Sequence, residues 1–186
     1  MDPDQFPRVV SLACHDLRTP LATVYGFSRT LSRGGELDER NTRYIGMIGE
    51  AAEQMTELLD QLGASARIAA GRWEPVLREV DTLELARDAD ADVPVDGTGA
   101  LVETEVEAVD RALRSLARAA RVYGRVGEVA WRVDGRLLEL SPVVPDAAPV
   151  VTGEDVRDLG ALVARQVIEA LGGSLALDGE TLRVTI

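Results

Sequence analysis

His15 is the only histidine among 186 residues, and it lies in the run His15-Asp16-Leu17-Arg18-Thr19-Pro20. A neutral imidazole is a competent nucleophile near neutral pH, because free histidine titrates near about 6.5. That chemistry needs an exposed ring, whereas a lone histidine is commonly a hydrogen-bonded core residue. The spacing argues for exposure. Val10, Leu17, Val24 and Leu31 recur every seven residues, and Ala13 and Phe27 follow Val10 and Val24 by three, so an apolar seam runs along positions a and d. His15 then falls at f, opposite the seam, on one line with Ala22 and Arg29. Ser11, Arg18 and Tyr25 flank it on one side, and Leu12, Thr19 and Gly26 on the other. This face is small, polar and partly basic. Pro20 removes one backbone hydrogen bond and predicts a bend just after His15.

The elements that must position this residue follow from the same periodicity. The His15 helix is broken at Gly34-Gly35, and a second helix reads from about Asp38 to Ala70, with Asp38 as its N-cap. Ile45, Ile48, Ala52, Met55, Leu59, Leu62, Ala66 and Ala69 form its seam. Two long helices joined by a short loop make an antiparallel hairpin. Each seam is wider than one neighbour can cover, so two hairpins packing as a four-helix bundle, a homodimer, is the expectation; a monomer with the hairpin on the second domain is the alternative.

After Gly71 the pattern changes, which divides the chain into a hairpin domain over 1–71 and an α/β domain over 72–186. Trp73 to Val80 reads as extended, Asp81 to Ala89 as a short helix, and Ala91 to Val102 as turns with short strands. Glu105 to Tyr123 is strongly helical. Strands over 126–133 and 136–140 surround the turn Asp134-Gly135, and Pro142 to Pro149 forms a loop. A helix over 155–171 and a closing hairpin around Asp178-Gly179 complete an α+β fold whose second part is a small α/β sandwich.

Composition narrows the partners. A net charge of −12 and a pI near 4.5 argue against nucleic acid. From Gln5 to Arg33, however, Arg8, Arg18, Arg29 and Arg33 face only Asp16, a local net of +3 suited to a partner with an acidic pocket, although ordinary solvated helix charges would look the same. The single cysteine, Cys14, excludes an intramolecular disulfide and reads as a small packing residue. There is no lysine, which excludes lysine-based chemistry. No apolar run has the length of a membrane span and Met1-Asp2-Pro3-Asp4 does not resemble a signal peptide, so a cytoplasmic protein without a membrane partner is expected.

The run His15-Asp16-Leu17-Arg18-Thr19-Pro20-Leu21 resembles the H-box of two-component sensor histidine kinases, and the hairpin resembles their dimerisation and histidine-phosphotransfer domain. Residues 90–186 resemble the ATP-binding domain of the same kinases in order of elements, and Gly172-Gly173-Ser174-Leu175 is similar to a stretch near that domain's end. The resemblance implies that His15 accepts a phosphoryl group, that Asp16 orients or activates the ring, that Arg18 offsets phosphoryl charge, and that Thr19 stands where kinases position water for receiver dephosphorylation. It also implies response-regulator receiver domains as partners, docked over Arg8, Ser11, Leu12, Ala22, Tyr25, Gly26 and Arg29.

The departures fall in the second domain. Where the family has the asparagine that ligates the magnesium of ATP, this chain has Ala119, with Ser115 at the preceding asparagine position. Alanine cannot ligate a hard cation. In place of the family's Asp-x-Gly-x-Gly turn stands Leu140-Ser141-Pro142-Val143-Val144-Pro145, and the second glycine box is reduced to Asp158-Leu159-Gly160-Ala161. The segment from Pro142 to Asp155 is short for an ATP lid. The expectation is therefore a histidine phosphotransferase of a phosphorelay that binds neither ATP nor a metal itself, its magnesium arriving with the receiver. The alternatives are a non-catalytic scaffold for a receiver or kinase, a divergent active kinase, and a receiver phosphatase relying on Thr19.

Overall fold

The computed structural model describes residues 5–34 and 37–186, without the side chains of Gln5 and Arg8. The chain divides into two compact units, Met1–Arg72 and Trp73–Ile186.

The first unit is a helical hairpin of α1 (Gln5–Arg33) and α2 (Glu39–Ala69). Asp38 caps α2 by accepting the Asn41 N–H at 2.7 Å. Pro20 lies within α1, so the Asp16 carbonyl lacks its usual helical donor. The heptad phase of α1 differs from the expected one. Cys14, Leu21 and Ser28 are buried and Ser11, Arg18 and Tyr25 half-buried, a three-four spacing that forms the contact with α2. Leu17, Val24, Phe27 and Leu31, placed in the seam by the sequence reading, are exposed within one chain. The reason is steric: small residues let the backbones approach. A Cβ added at Gly49 would stand only 3.2 Å from the Ser28 hydroxyl. The single seam expected for α2 likewise splits in two, with Ala52 and Ala66 buried while Ile48, Met55 and Leu62 stay exposed.

The second unit contains β1 (Arg78–Asp81), α3 (Thr82–Ala89), β2 (Val95–Gly99), β3 (Leu101–Thr104), α4 (Val106–Gly124), β4 (Ala130–Gly135), β5 (Leu137–Ser141), α5 (Ala148–Val151), α6 (Leu159–Ala170), β6 (Ser174–Asp178) and β7 (Thr181–Thr185). The main sheet has the order β2-β4-β5-β7-β6, with β2 parallel to β4 and the other pairs antiparallel; β1 and β3 form a separate ribbon. Period-two alternation sends Trp131 and Val133, Leu138 and Leu140, and Leu182 and Val184 into one core. There they meet the apolar stripe of α4, including Val109, Leu113, Leu116 and Ala120, and Ala161, Ala164 and Ile168 of α6. Each leucine-sized side chain buried this way contributes about 1.5–3 kcal/mol.

Boundaries move where caps override periodicity. β4 begins at Ala130 rather than at Val126, because Arg125 adopts a left-handed conformation (φ 51°) and Val126 still donates back to the Arg121 carbonyl. α6 begins at Leu159 rather than at Asp155, because the Asp158 carboxylate accepts the Ala161 N–H at 2.9 Å. Residues 73–77, expected to be extended, have no regular structure, and the expected loop ends two residues early, where the one-turn α5 starts at Ala148.

Candidate functional site

The His15 side chain is 77% exposed on α1, and its Nδ1 lies 3.2 Å from Oδ1 of Asp16. A carboxylate there favours the tautomer with the proton on Nδ1, which leaves Nε2 as an unprotonated nucleophile open to solvent. Thr19 is exposed; its carbonyl accepts the Thr23 hydroxyl at 3.1 Å, and no hydrogen bond joins its own hydroxyl to a described residue.

Arg18 does not stand free beside His15. Its Nε and Nη2 donate to Oδ1 of Asp60 on α2 at 3.0 and 2.7 Å, and the two side chains are 38% and 42% exposed. Of the expected docking residues, Leu12, Ala22, Gly26 and Arg29 are exposed. Ser11 and Tyr25, expected on the same face, are half-buried, and the Ser11 hydroxyl is buried without a partner among the described residues. They turn inward because they share the seven-residue line of Arg18, which packs on α2. The Arg8 side chain lies outside the described residues. The Tyr25 hydroxyl donates to Glu53 at 2.6 Å and accepts from Arg29 at 2.8 Å, with the Arg29 guanidinium 5.6 Å from the ring centre. That hydrogen bond, followed by the electrostatic effect of Tyr25, raises Arg29 above its ordinary pKa against the opposing effect of burial, with Glu53 adding least to the rise. Tyr25, Ser28, Arg29, Gly46, Gly49 and Glu53 line an open groove between the helices. Asp60 and Glu53 were not singled out by the sequence reading. Their partners lie 42 and 28 residues away, and the only local signal was an acidic residue on the inner line of α2.

The second unit permits a direct test of whether its residues suit the magnesium nucleotide that the resemblance implies. Ala119 is fully buried, and its side chain carries no oxygen. Ser115 packs against α6, where a Cβ added at Gly160 would stand 2.9 Å from its hydroxyl. Asp158, with 3% of its side chain exposed, spends its carboxylate on Arg118 at 2.7 and 2.9 Å and on capping α6. Val143, in the segment replacing the glycine turn, is buried and donates its N–H to the Glu180 carbonyl at 2.7 Å. The Tyr123 hydroxyl bonds the Arg157 carbonyl at 3.0 Å, and the Arg157 guanidinium lies over the Tyr123 ring. These residues do not fit the group. Oxygen ligands and close backbone approach are replaced by apolar packing and internal ion pairs.

Residues 8–71 match the His Kinase A (phospho-acceptor) domain, which includes His15 and both helices. Residues 8–71 are thus a phospho-acceptor domain of this kind, and the chain as a whole is similar to two-component histidine kinases. Among its relatives, histidine protein kinase DivJ of Caulobacter vibrioides is 28% identical over 169 residues, covering 82% of this chain and 28% of DivJ. Sensor protein DivL of the same organism is 25% identical over 194 residues, covering 89% of this chain and 25% of DivL. The chain thus spans about a quarter of the length of these relatives. The structure of full-length ShkA in complex with AMPPNP shares the fold, with a TM-score of 0.65 and 20% identity over 96% of this chain and 44% of that one. The fold is a helical hairpin followed by a small α/β sheet domain. No described helix is long and apolar enough to cross a membrane.

Proposed function

We propose that this chain is a histidine phosphotransferase that relays a phosphoryl group between receiver aspartates through His15 and does not draw it from ATP. The observation that carries this reading is the contrast between the units: an exposed imidazole oriented by Asp16 in one, and in the other Ala119, Val143 and Asp158 committed to packing and pairing where a nucleotide would need oxygen ligands and open backbone. The Nε2 lone pair of His15 bonds phosphorus while the phosphorus–oxygen bond to the donor aspartate breaks and its electron pair leaves with the carboxylate. The Nδ1 proton stays hydrogen-bonded to Asp16, which offsets positive charge on the ring; transfer to a second receiver reverses these events. Such reactions depend chiefly on positioning and electrostatics. Magnesium comes with the receiver, whose acidic pocket faces the arginines of α1. A second copy of the chain covers Leu17, Val24, Phe27 and Leu31, together with Ile48, Met55 and Leu62, making a homodimeric four-helix bundle.

The names of the relatives and the AMPPNP complex of ShkA favour a second reading, a divergent histidine kinase. One experiment separates the two. The full chain is incubated with γ-labelled ATP and magnesium, and in parallel with a panel of receivers charged by radiolabelled acetyl phosphate. Transient His15 labelling from a receiver, absent in His15→Ala, with none from ATP, is the expected result; robust labelling from ATP refutes the proposal.

A further inference from the structure

Resting on the assignment of His15 as phospho-acceptor, we infer that Asp60 is a positioning residue for phosphoryl transfer: it anchors Arg18 across the hairpin as a fixed positive charge one turn from His15.

Three features lead to this. Arg18 follows His15 by three residues, the spacing at which helical side chains are neighbours on one face. Its guanidinium is gripped through Nε and Nη2 by one carboxylate oxygen of Asp60, at 3.0 and 2.7 Å, so the third nitrogen, Nη1, is outside that grip. The opposite helix also carries no side chain where the guanidinium crosses. A Cβ added at Gly63 would stand 3.4 Å from Nη1 of Arg67, 3.5 Å from Nη2 of Arg18 and 3.8 Å from Cβ of Cys14. A methyl group fits there, but a longer side chain would displace one of the arginines.

Stability alone is a poor account of the arrangement. An ion pair between side chains 38% and 42% exposed contributes little to folding, and it restrains a long side chain that would otherwise sample many rotamers. What the pair does supply is a fixed cation, and a charge restrained before the reaction needs no reorganisation as negative charge develops on the phosphoryl group. Nor does the remainder of the H-box supply such a cation, since Asp16 and Thr19 carry none.

The test uses phosphoramidate, a small donor that needs no docking surface. Nε2 of His15 forms the new bond to phosphorus as the phosphorus–nitrogen bond of phosphoramidate breaks and ammonia leaves. Labelling rates are measured on the full chain as purified, its variants Asp60→Asn, Asp60→Glu and Arg18→Ala, and the double variant Arg18→Ala/Asp60→Asn, with helicity and melting temperature followed by circular dichroism. Asp60→Asn and Arg18→Ala are each expected to slow labelling about 10-fold, less than the ~100-fold of a buried donor because the pair is half-exposed. The double variant is expected to be no slower than either single one, Asp60→Glu to recover part of the rate, and helicity to be unchanged. Labelling of Asp60→Asn at the unsubstituted rate, additive losses in the double variant, or losses that track helicity would each overturn the inference. If phosphoramidate labels His15 but no charged receiver does, the relay reading fails by itself, and the rates of the variants still decide the role of Asp60.

Discussion

Ala119→Asn restores the residue that the kinase resemblance implies at the magnesium-ligating position, and the two readings of the second unit assign it opposite consequences. If Ala119 borders a usable nucleotide cleft, an asparagine there faces solvent or ligand and is tolerated. In the structure Ala119 is 0% exposed on the core face of α4. An asparagine must then force extra atoms into close packing, costing about 1–3 kcal/mol. It also buries an amide without a partner, adding about 1–3 kcal/mol. The combined loss of about 2–6 kcal/mol corresponds to a fall in melting temperature of about 8–24 °C, at about 4 °C per kcal/mol for a unit of this size. Thermal denaturation with and without magnesium ATP measures both halves of the argument. A nucleotide at 100 times its dissociation constant would stabilise the folded state by about 2.7 kcal/mol, a readily visible shift. An unchanged melting temperature in Ala119→Asn, or one raised by magnesium ATP, refutes the reading of this region as core.

Two further outcomes follow from individual carboxylates. Asp158→Asn keeps an N-cap for α6 but loses the ion pair, whereas Asp158→Ala loses both, so urea denaturation is expected to place Asp158→Ala about 1 kcal/mol below Asp158→Asn, the usual worth of a cap. Burial holds the Asp110 carboxyl above its ordinary value of 3.8, outweighing the opposing charges of Arg114 and Arg111, while Asp88 adds to the rise. A raised carboxyl favours the fold while protonated, and that contribution is lost as pH rises through the folded-state value. Asp110→Asn is therefore expected to gain stability relative to the unsubstituted protein on going from below pH 3.8 toward neutrality, measured by denaturation across that range; the opposite slope would refute the assignment.

Much of the fold was legible because it rests on local rules. Asp38, Asp81 and Glu105 each accept backbone N–H groups at a helix start that the pattern placed within a residue or two, and the apolar stripe of α4 and the paired strands β6 and β7 follow their periods of 3.6 and 2. The phase of the hairpin was less accessible. Sequence periodicity identifies which residues are apolar, but Cys14, Leu21 and Ser28 were chosen for the contact by how closely the backbones can approach, and that depends on Gly49, Ala52 and Gly63 of the other helix. The same limit applied at the candidate site. His15 and Asp16 are adjacent in the chain and could be read together, whereas Arg18 with Asp60 and Tyr25 with Glu53 exist only once the register of the two helices is set.

The second unit shows why a nucleotide site and a stable core are alternatives at the same positions. The α4 face that carries Ser115 and Ala119 also packs against α6. A ligand oxygen on that face is satisfied when a cation is present and becomes a buried, unpaired polar group when none is. Alanine at 119 and valine at 143 remove that cost, and Arg118 gives the buried Asp158 carboxylate the counter-charge that burial demands. Each substitution relative to the family pattern therefore favours the fold and works against the ligand. No comparable packing argument explains an imidazole at position 15, because a side chain 77% exposed contributes little to the hairpin. Chemistry remains as the reason for a histidine there, and under the proposed function its phosphoryl group arrives on another protein.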